Sequence, residues 1–126
     1  MSFTNFLETE ILDHVFAGAA YSAPSTHYLG LFTAAPGEAG GGTELSGSAY
    51  VRKSVAFTTS GNTTSNNAAV EFPTATGSWG TVTHVGVFDA SSSGNLMAYA
   101  TLSSSKAIAT GDVFRVPSGD LDITLD

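Results

Sequence analysis

From Thr26 to Asp126, apolar and polar residues alternate in short runs, and each run stops at a cluster of Gly, Pro, Ser, Asn or Asp. No other feature narrows the fold as much. Alternation with a period of two sets one face of a strand against a core and the other in water. The turn clusters then make the chain reverse at short intervals. Candidate strands are Thr26–Thr33, Tyr50–Thr58, Ala68–Phe72, Thr81–Phe88, Leu96–Leu102, Asp112–Val116 and Leu121–Leu125. In the last of them Leu121, Ile123 and Leu125 alternate with Asp122, Thr124 and Asp126. Leu96, Ala98, Ala100 and Leu102 form a similar stripe opposite Met97, Tyr99 and Thr101. The expected fold is all-β, an antiparallel β-sandwich of jelly-roll or Ig-like type with about seven to eight short strands. Composition agrees: Ser, Thr, Ala and Gly make up half of the 126 residues, which suits short strands and tight turns better than long helices.

One helix is expected, within residues 1–17. Leu7, Ile11, Leu12 and Val15 fall on one helical face. Asn5 is the expected N-cap, with Glu8 three residues on as its capping-box partner. Glu8 and Glu10 suit the positive end of the helix dipole, His14 suits the negative end, and Gly18 is the expected stop. So short a helix is not stable alone. Its apolar residues Phe3, Phe6, Leu7, Ile11, Leu12, Val15 and Phe16 are therefore the first candidate partner-binding face. Residues 26–126 form the sandwich, and the whole chain reads as one domain.

A second candidate lies in the longest interruption, residues 34–48, which contains five glycines. A loop of that length and composition is costly to order. It reads as a mobile surface loop or an arm that orders on a partner, with Pro36, Gly40, Gly41, Gly42 and Glu44 as candidate contacts. A weak echo links Thr26-His27-Tyr28-Leu29-Gly30-Leu31-Phe32 to Thr83-His84-Val85-Gly86-Val87-Phe88. Its spacing differs by one residue, so a true repeat is not expected.

Several functions are excluded or disfavoured. The chain has no cysteine, hence no disulfide, thiolate nucleophile or Cys-ligated metal. No apolar run is long enough for a membrane helix. Met1–Phe16 lacks a basic start and carries Glu8, Glu10 and Asp13, so it does not read as a signal peptide. Eleven acidic against four basic residues give a net charge of −7, which disfavours nucleic acid as a partner.

No catalytic constellation appears. His14, His27 and His84 lack a second histidine at ligand spacing, and no Gly-x-Ser-x-Gly elbow occurs. The glycines at 40–42 are not followed by the Lys-Ser or Lys-Thr of a phosphate loop. Asp89 to Asn95, and Asp120 with Asp122, offer hard oxygen ligands. Turn bonding explains the first, and a solvent-facing position in the last strand explains the second. Trp79 after Gly77-Ser78 reads first as a core or interface residue. Its alternative is a ligand-stacking aromatic, with Tyr50 and Tyr99 completing a sugar-binding surface. No cofactor, no metal and no enzymatic activity are expected.

Four stretches, taken in order, resemble a family of small virion structural proteins of tailed bacteriophages and prophages. They are Thr4-Asn5-Phe6-Leu7-Glu8 running to Leu12-Asp13-His14-Val15-Phe16; Tyr28-Leu29-Gly30-Leu31-Phe32-Thr33-Ala34-Ala35-Pro36; Val70-Glu71-Phe72-Pro73-Thr74-Ala75 with Trp79-Gly80-Thr81-Val82-Thr83-His84; and Gly86-Val87-Phe88-Asp89-Ala90 through Gly94-Asn95-Leu96 to Leu121-Asp122-Ile123-Thr124-Leu125. Members are labelled tail-fibre or minor structural proteins. The resemblance implies a place in the virion, assembly in the bacterial cytoplasm, and action through protein–protein contacts. The implied partners are the major capsid protein or tail proteins, and further copies of the chain as a homo-oligomer; it implies no catalytic residues. At 126 residues there is no room for a long fibre shaft, so the first expectation is a capsid decoration or cement protein. The alternatives are a small tail-fibre or tail-tip component and, third, a carbohydrate-binding module.

Overall fold

A computed structural model describes residues 1–126. The element order is β1 (Ser2–Phe3), α1 (Asn5–Phe16), β2 (His27–Ala34), β3 (Thr43–Glu44), β4 (Lys53–Val55), β5 (Phe57–Ser60), β6 (Thr63–Asn66), β7 (Val70–Glu71), β8 (Gly80–Phe88), β9 (Leu96–Ile108), β10 (Arg115–Val116) and β11 (Asp122–Thr124). The fold is all-β and sandwich-like, with one helix. A six-stranded antiparallel sheet runs β1-β9-β8-β2-β3, with β4 also on β2. Opposite it lie a three-stranded sheet, β11-β6-β5, and a two-stranded one, β10-β7.

The main core forms where these layers meet. Leu29, Leu31, Val85 and Val87 face inward from β2 and β8, and Val70, Phe72, Phe114, Val116 and Leu121 face them from the other side. The opposite face of the large sheet is also partly covered: Phe32, Phe88 and Leu96 form a second cluster there, with Tyr28 and Tyr99 against it. Leu29 to Phe32 are thus buried on both faces of β2, as expected for a strand that sits between two apolar layers.

Several expected boundaries shift. The expected strand Tyr50–Thr58 is two strands, because the chain leaves β2 at Ala56 and starts β5 in a different sheet. The stripe Leu96-Ala98-Ala100-Leu102 is split. The β8–β9 register slips between Val87 and Phe88, so Leu96 pairs with Phe88 and joins the outer cluster while Ala98 pairs with Val87. A larger bulge follows, where Leu102 to Ser105 lie opposite Thr83 alone. It inverts the alternation of β8, so Val82 and Val85 both reach the core.

The helix starts where expected but is capped differently. Thr4 is its N-cap, in place of Asn5, and no side chain caps its free N–H groups. The Thr4 hydroxyl is instead buried and donates to the Leu96 carbonyl at 2.6 Å. At the far end Gly18 takes the left-handed conformation, φ +74°, and the N–H groups of Ala17 and Ala19 both donate to the Asp13 carbonyl.

Candidate functional site

The expected helix face divides in two. Leu7 is buried, and Phe3, Phe6 and Ile11 are half-buried. Leu12, Val15 and Phe16 project into solvent, at 57%, 59% and 80% exposure. The cause is geometric. The N-terminal half of α1 lies over β1 and β9, and its last turns overhang the sheet. Leu12, Val15 and Phe16 are spaced i, i+3, i+4 and so share one side of the helix. Beyond the helix the chain folds back along it: the Tyr21 N–H donates to His14 Nδ1 at 3.0 Å, and the Tyr21 ring meets Phe6 edge-on.

Residues 34–48 are not a free arm. β3 returns against β2, so only Ala35–Gly42 remains as a hairpin connection. Pro36 is buried, whereas Gly40, Gly41 and Gly42 are exposed. Gly42 has φ +80°, and a Cβ there would lie 2.6 Å from the Ala34 and Ala35 carbonyl oxygens, so this tight turn admits only glycine. The tip is tied to the helix. The Asn5 N–H donates to the Glu38 carbonyl at 3.0 Å, and the Tyr99 hydroxyl donates to Glu38 Oε1 at 3.0 Å. That bond to Glu38, after the desolvation of the phenol, holds the Tyr99 hydroxyl above its ordinary pKa.

Glu44 points inward. Its carboxylate takes two parallel hydrogen bonds from Arg52, Nε to Oε2 and Nη2 to Oε1, both at 2.8 Å. Arg52 Nη1 donates to the carbonyls of Ala90 and Ser93, and the guanidinium lies 3.4 Å above the centre of the Phe88 ring. Tyr50 donates its hydroxyl to Glu44 Oε2 at 2.7 Å and accepts the Leu31 N–H. Burial and the Glu44 bond push the Tyr50 hydroxyl far above its ordinary pKa, so it stays a donor. With its guanidinium so engaged, Arg52 pins the connection after β3 and the loop after β8 to the sheet.

Trp79 is a core residue, 5% exposed, edge-on to Tyr50, with its indole N–H donating to the Ser48 carbonyl at 2.9 Å. Its ring has no open face on which a sugar could stack. Tyr50 is half-buried in the same cluster, so the three aromatics do not form one surface. Asp89 accepts from the Asn95 N–H and side-chain amide. Asp122 accepts from Ser65. No group of three His, Asp or Glu side chains gathers at metal-binding distance.

A groove of about 260 Å³ lies under the N-terminal half of the helix, between it and the three-stranded sheet. Phe3, Leu7, Phe57, Val87, Met97 and Ile123 line it, and His27 and Thr64 contribute its few polar atoms. His27 meets the Phe57 ring edge-on, and burial holds its pKa below the ordinary 6.5, an effect that Asp89 partly offsets. Sequence reasoning missed this groove, because its walls come from α1 and seven different strands.

The surface so described offers apolar contact and no assembled reactive group. No curated protein matches the chain. A family model described as podophage GP4 fiber I protein gp80 matches residues 2–124, the helix and every strand of both layers included. The chain therefore belongs to the podophage GP4 fiber I protein family, whose members are structural proteins of the tailed-phage virion.

Proposed function

We propose that this chain is a structural subunit of a podophage tail fibre and acts through protein–protein contacts. The observation that carries the reading is the family match across residues 2–124. It favours the tail fibre over capsid decoration, which rested on the chain's having no room for a long shaft. A fibre assembled from several short subunits needs no shaft within each of them. The projecting Leu12, Val15 and Phe16 supply an apolar contact of the kind such an assembly uses. The partners are neighbouring tail proteins and further copies of the chain, joined after synthesis in the host cytoplasm. No catalytic step or cofactor belongs to this role.

The deciding experiment is a copy number. Quantitative mass spectrometry of purified particles, with heads and tails separated, is expected to find the protein in the tail fraction at the stoichiometry of a fibre. Recovery in the head fraction, at a stoichiometry matching the capsid subunits, would return the function to capsid decoration.

A further inference from the structure

Strand β9 has an open edge. It pairs with β8 on one side, and on the other β1 covers only Ala98 and Tyr99. No strand pairs with Ala100 to Lys106 on that second side, and no loop backbone bonds to them there. The bare edge forms one wall of a cleft of about 370 Å³, and the chain from Phe114 to Asp122 forms the other. The core residues Val85, Phe114, Val116 and Leu121 reach its floor. Met1 closes one end, where its amine donates to the Asp122 carbonyl at 3.0 Å. The line of β1 therefore runs into the cleft, along the edge that β1 leaves uncovered.

We propose that this cleft is a strand-addition site. An extended segment of a neighbouring virion protein, alternating apolar with acidic residues, lies beside β9 and continues the large sheet. The fibre reading supplies only the neighbour's place, as a tail protein. Main-chain hydrogen bonds to the edge carry the affinity in this mode of recognition. The floor residues are already buried, so apolar area adds little. Alternate side chains of the added strand face that floor, and this sets the apolar period.

Charge selects the residues between. Lys106 and Arg115 line the cleft and are two of the four basic side chains in a chain of net charge −7. Lys106 forms no ion pair, and Arg115 meets Glu71 only at 4.0 Å, with both of those side chains more than half exposed. Of the carboxylates at the cleft, Asp122 already accepts from Ser65. That leaves Asp120 against two cations and the N-terminal amine. Acidic side chains on the outward side of an added strand meet those cations. The edge of a second copy fits less well, since it brings its own Lys106 to the same place. The wall from Phe114 to Asp122 also leaves room beside β9 for one extended chain and not for the flank of a subunit.

The test uses two capped peptides, Thr-Val-Asp-Val-Asp-Val-Thr and Thr-Val-Lys-Val-Lys-Val-Thr, titrated against the full chain. Amide hydrogen exchange is followed residue by residue by NMR. The aspartate peptide is expected to slow exchange within Ala100–Lys106 and to bind about tenfold tighter than the lysine peptide, the size that two exposed charge contacts give. The double variant Lys106→Glu/Arg115→Glu changes two exposed positions. It is expected to reverse the preference, keep its melting temperature and be lost from purified tails. Absence of protection at these amides overturns the proposal. So does equal binding of the two peptides, or a double variant incorporated at the wild-type level. Protection of the same edge that appears without peptide as protein concentration rises assigns the cleft to a second copy and also overturns it. Selective binding of the aspartate peptide by a protein found only in heads keeps the site and removes the fibre reading.

Discussion

Gly30 and Gly86 face each other across the β2–β8 ladder, and each lies beneath the phenylalanine of the opposite strand. A Cβ on Gly30 would come 2.7 Å from Phe88, and one on Gly86 would come 2.8 Å from Phe32 and 2.6 Å from Leu96. The two rings stack nearly parallel, 5.9 Å apart. Gly-x-Phe occurs once in each strand, and antiparallel pairing at the glycines relates the two by a local twofold. This accounts for the echo between the two segments: the matched unit is Gly-x-Phe, and the spacing before it has no bearing. Neither glycine has positive φ, so the constraint is purely steric. Strand propensity alone would make Ala at either site stabilising by about 0.5–1 kcal/mol. Overpacking instead predicts that Gly30→Ala and Gly86→Ala each lose about 1–3 kcal/mol, measured by denaturant unfolding.

The Arg52–Glu44 pair predicts a larger loss. The Arg52 side chain is 9% exposed and that of Glu44 is 23% exposed. Arg52→Ala would leave the carboxylate with Tyr50 alone and uncover the Phe88 ring that lies over Gly30. The expected cost is about 2–4 kcal/mol, toward the lower part of what breaking a buried pair costs because Glu44 keeps some water. Arg52→Lys is expected to recover little, since an ammonium cannot form the two parallel bonds or lie flat on a ring. Equilibrium unfolding of the two variants, beside Glu44→Gln, checks the order.

These two features mark what the sequence could and could not convey. β2 and β8 were legible, because Leu29, Leu31, Val85 and Val87 alternate cleanly. β6 was not: Thr63-Thr64-Ser65-Asn66 has no apolar alternation, and its place is set by hydrogen bonding to β5 and β11 and by the buried Asn66, whose side chain bonds Ala68, Pro117 and Leu121. β1 is only two residues long and exists because Thr4 and Phe3 find β9 in space. The helix was legible as a helix, yet no local signal could say that its last turns overhang the sheet. Glu44 read as a loop charge because its partner lies eight residues away, beyond a turn whose geometry the residues do not announce.

That turn is strained. Gly47, Ser48 and Ala49 are three consecutive left-handed residues, with φ +76°, +52° and +70°. They aim the Ser48 carbonyl at the Trp79 indole and at the Thr76 N–H. Left-handed backbone costs a residue with a side chain about 1–2 kcal/mol, and glycine returns part of that as chain entropy. Ala49→Gly is therefore expected to stabilise the fold by roughly 0.5–1 kcal/mol, the reverse of the usual effect of glycine. A thermal melt beside Ala56→Gly as control checks the sign.

His27 gives a pH dependence. Burial holds its pKa in the folded chain below 6.5, so between those two values the unfolded chain binds more protons and stability rises with pH. The contribution is complete above about pH 6.5 and is lost as pH falls toward the depressed folded value. His27→Gln is expected to remove this slope in the melting temperature below pH 6.5. An identical slope in the variant would assign it to other groups.

The N-terminal segment is both strand and helix, and this bears on how its role is tested. Ser2 and Phe3 pair with Tyr99 and Ala98, the Thr4 hydroxyl bonds the Leu96 carbonyl, and Leu7 is buried. Deleting residues 1–17 would strip an edge from the large sheet and open the groove, so failed incorporation of such a truncation could reflect unfolding alone. Thr4→Val keeps the shape and removes the buried donor, with an expected loss of about 1–2 kcal/mol. Phe16→Ser, on the overhang, is expected to change stability by less than about 0.5 kcal/mol while reducing incorporation into particles. Melting temperature and particle incorporation, measured on both variants, separate the two roles. Thr4→Val should move the first readout and Phe16→Ser the second, and a Phe16→Ser protein that assembles normally would take the helix end out of the interface.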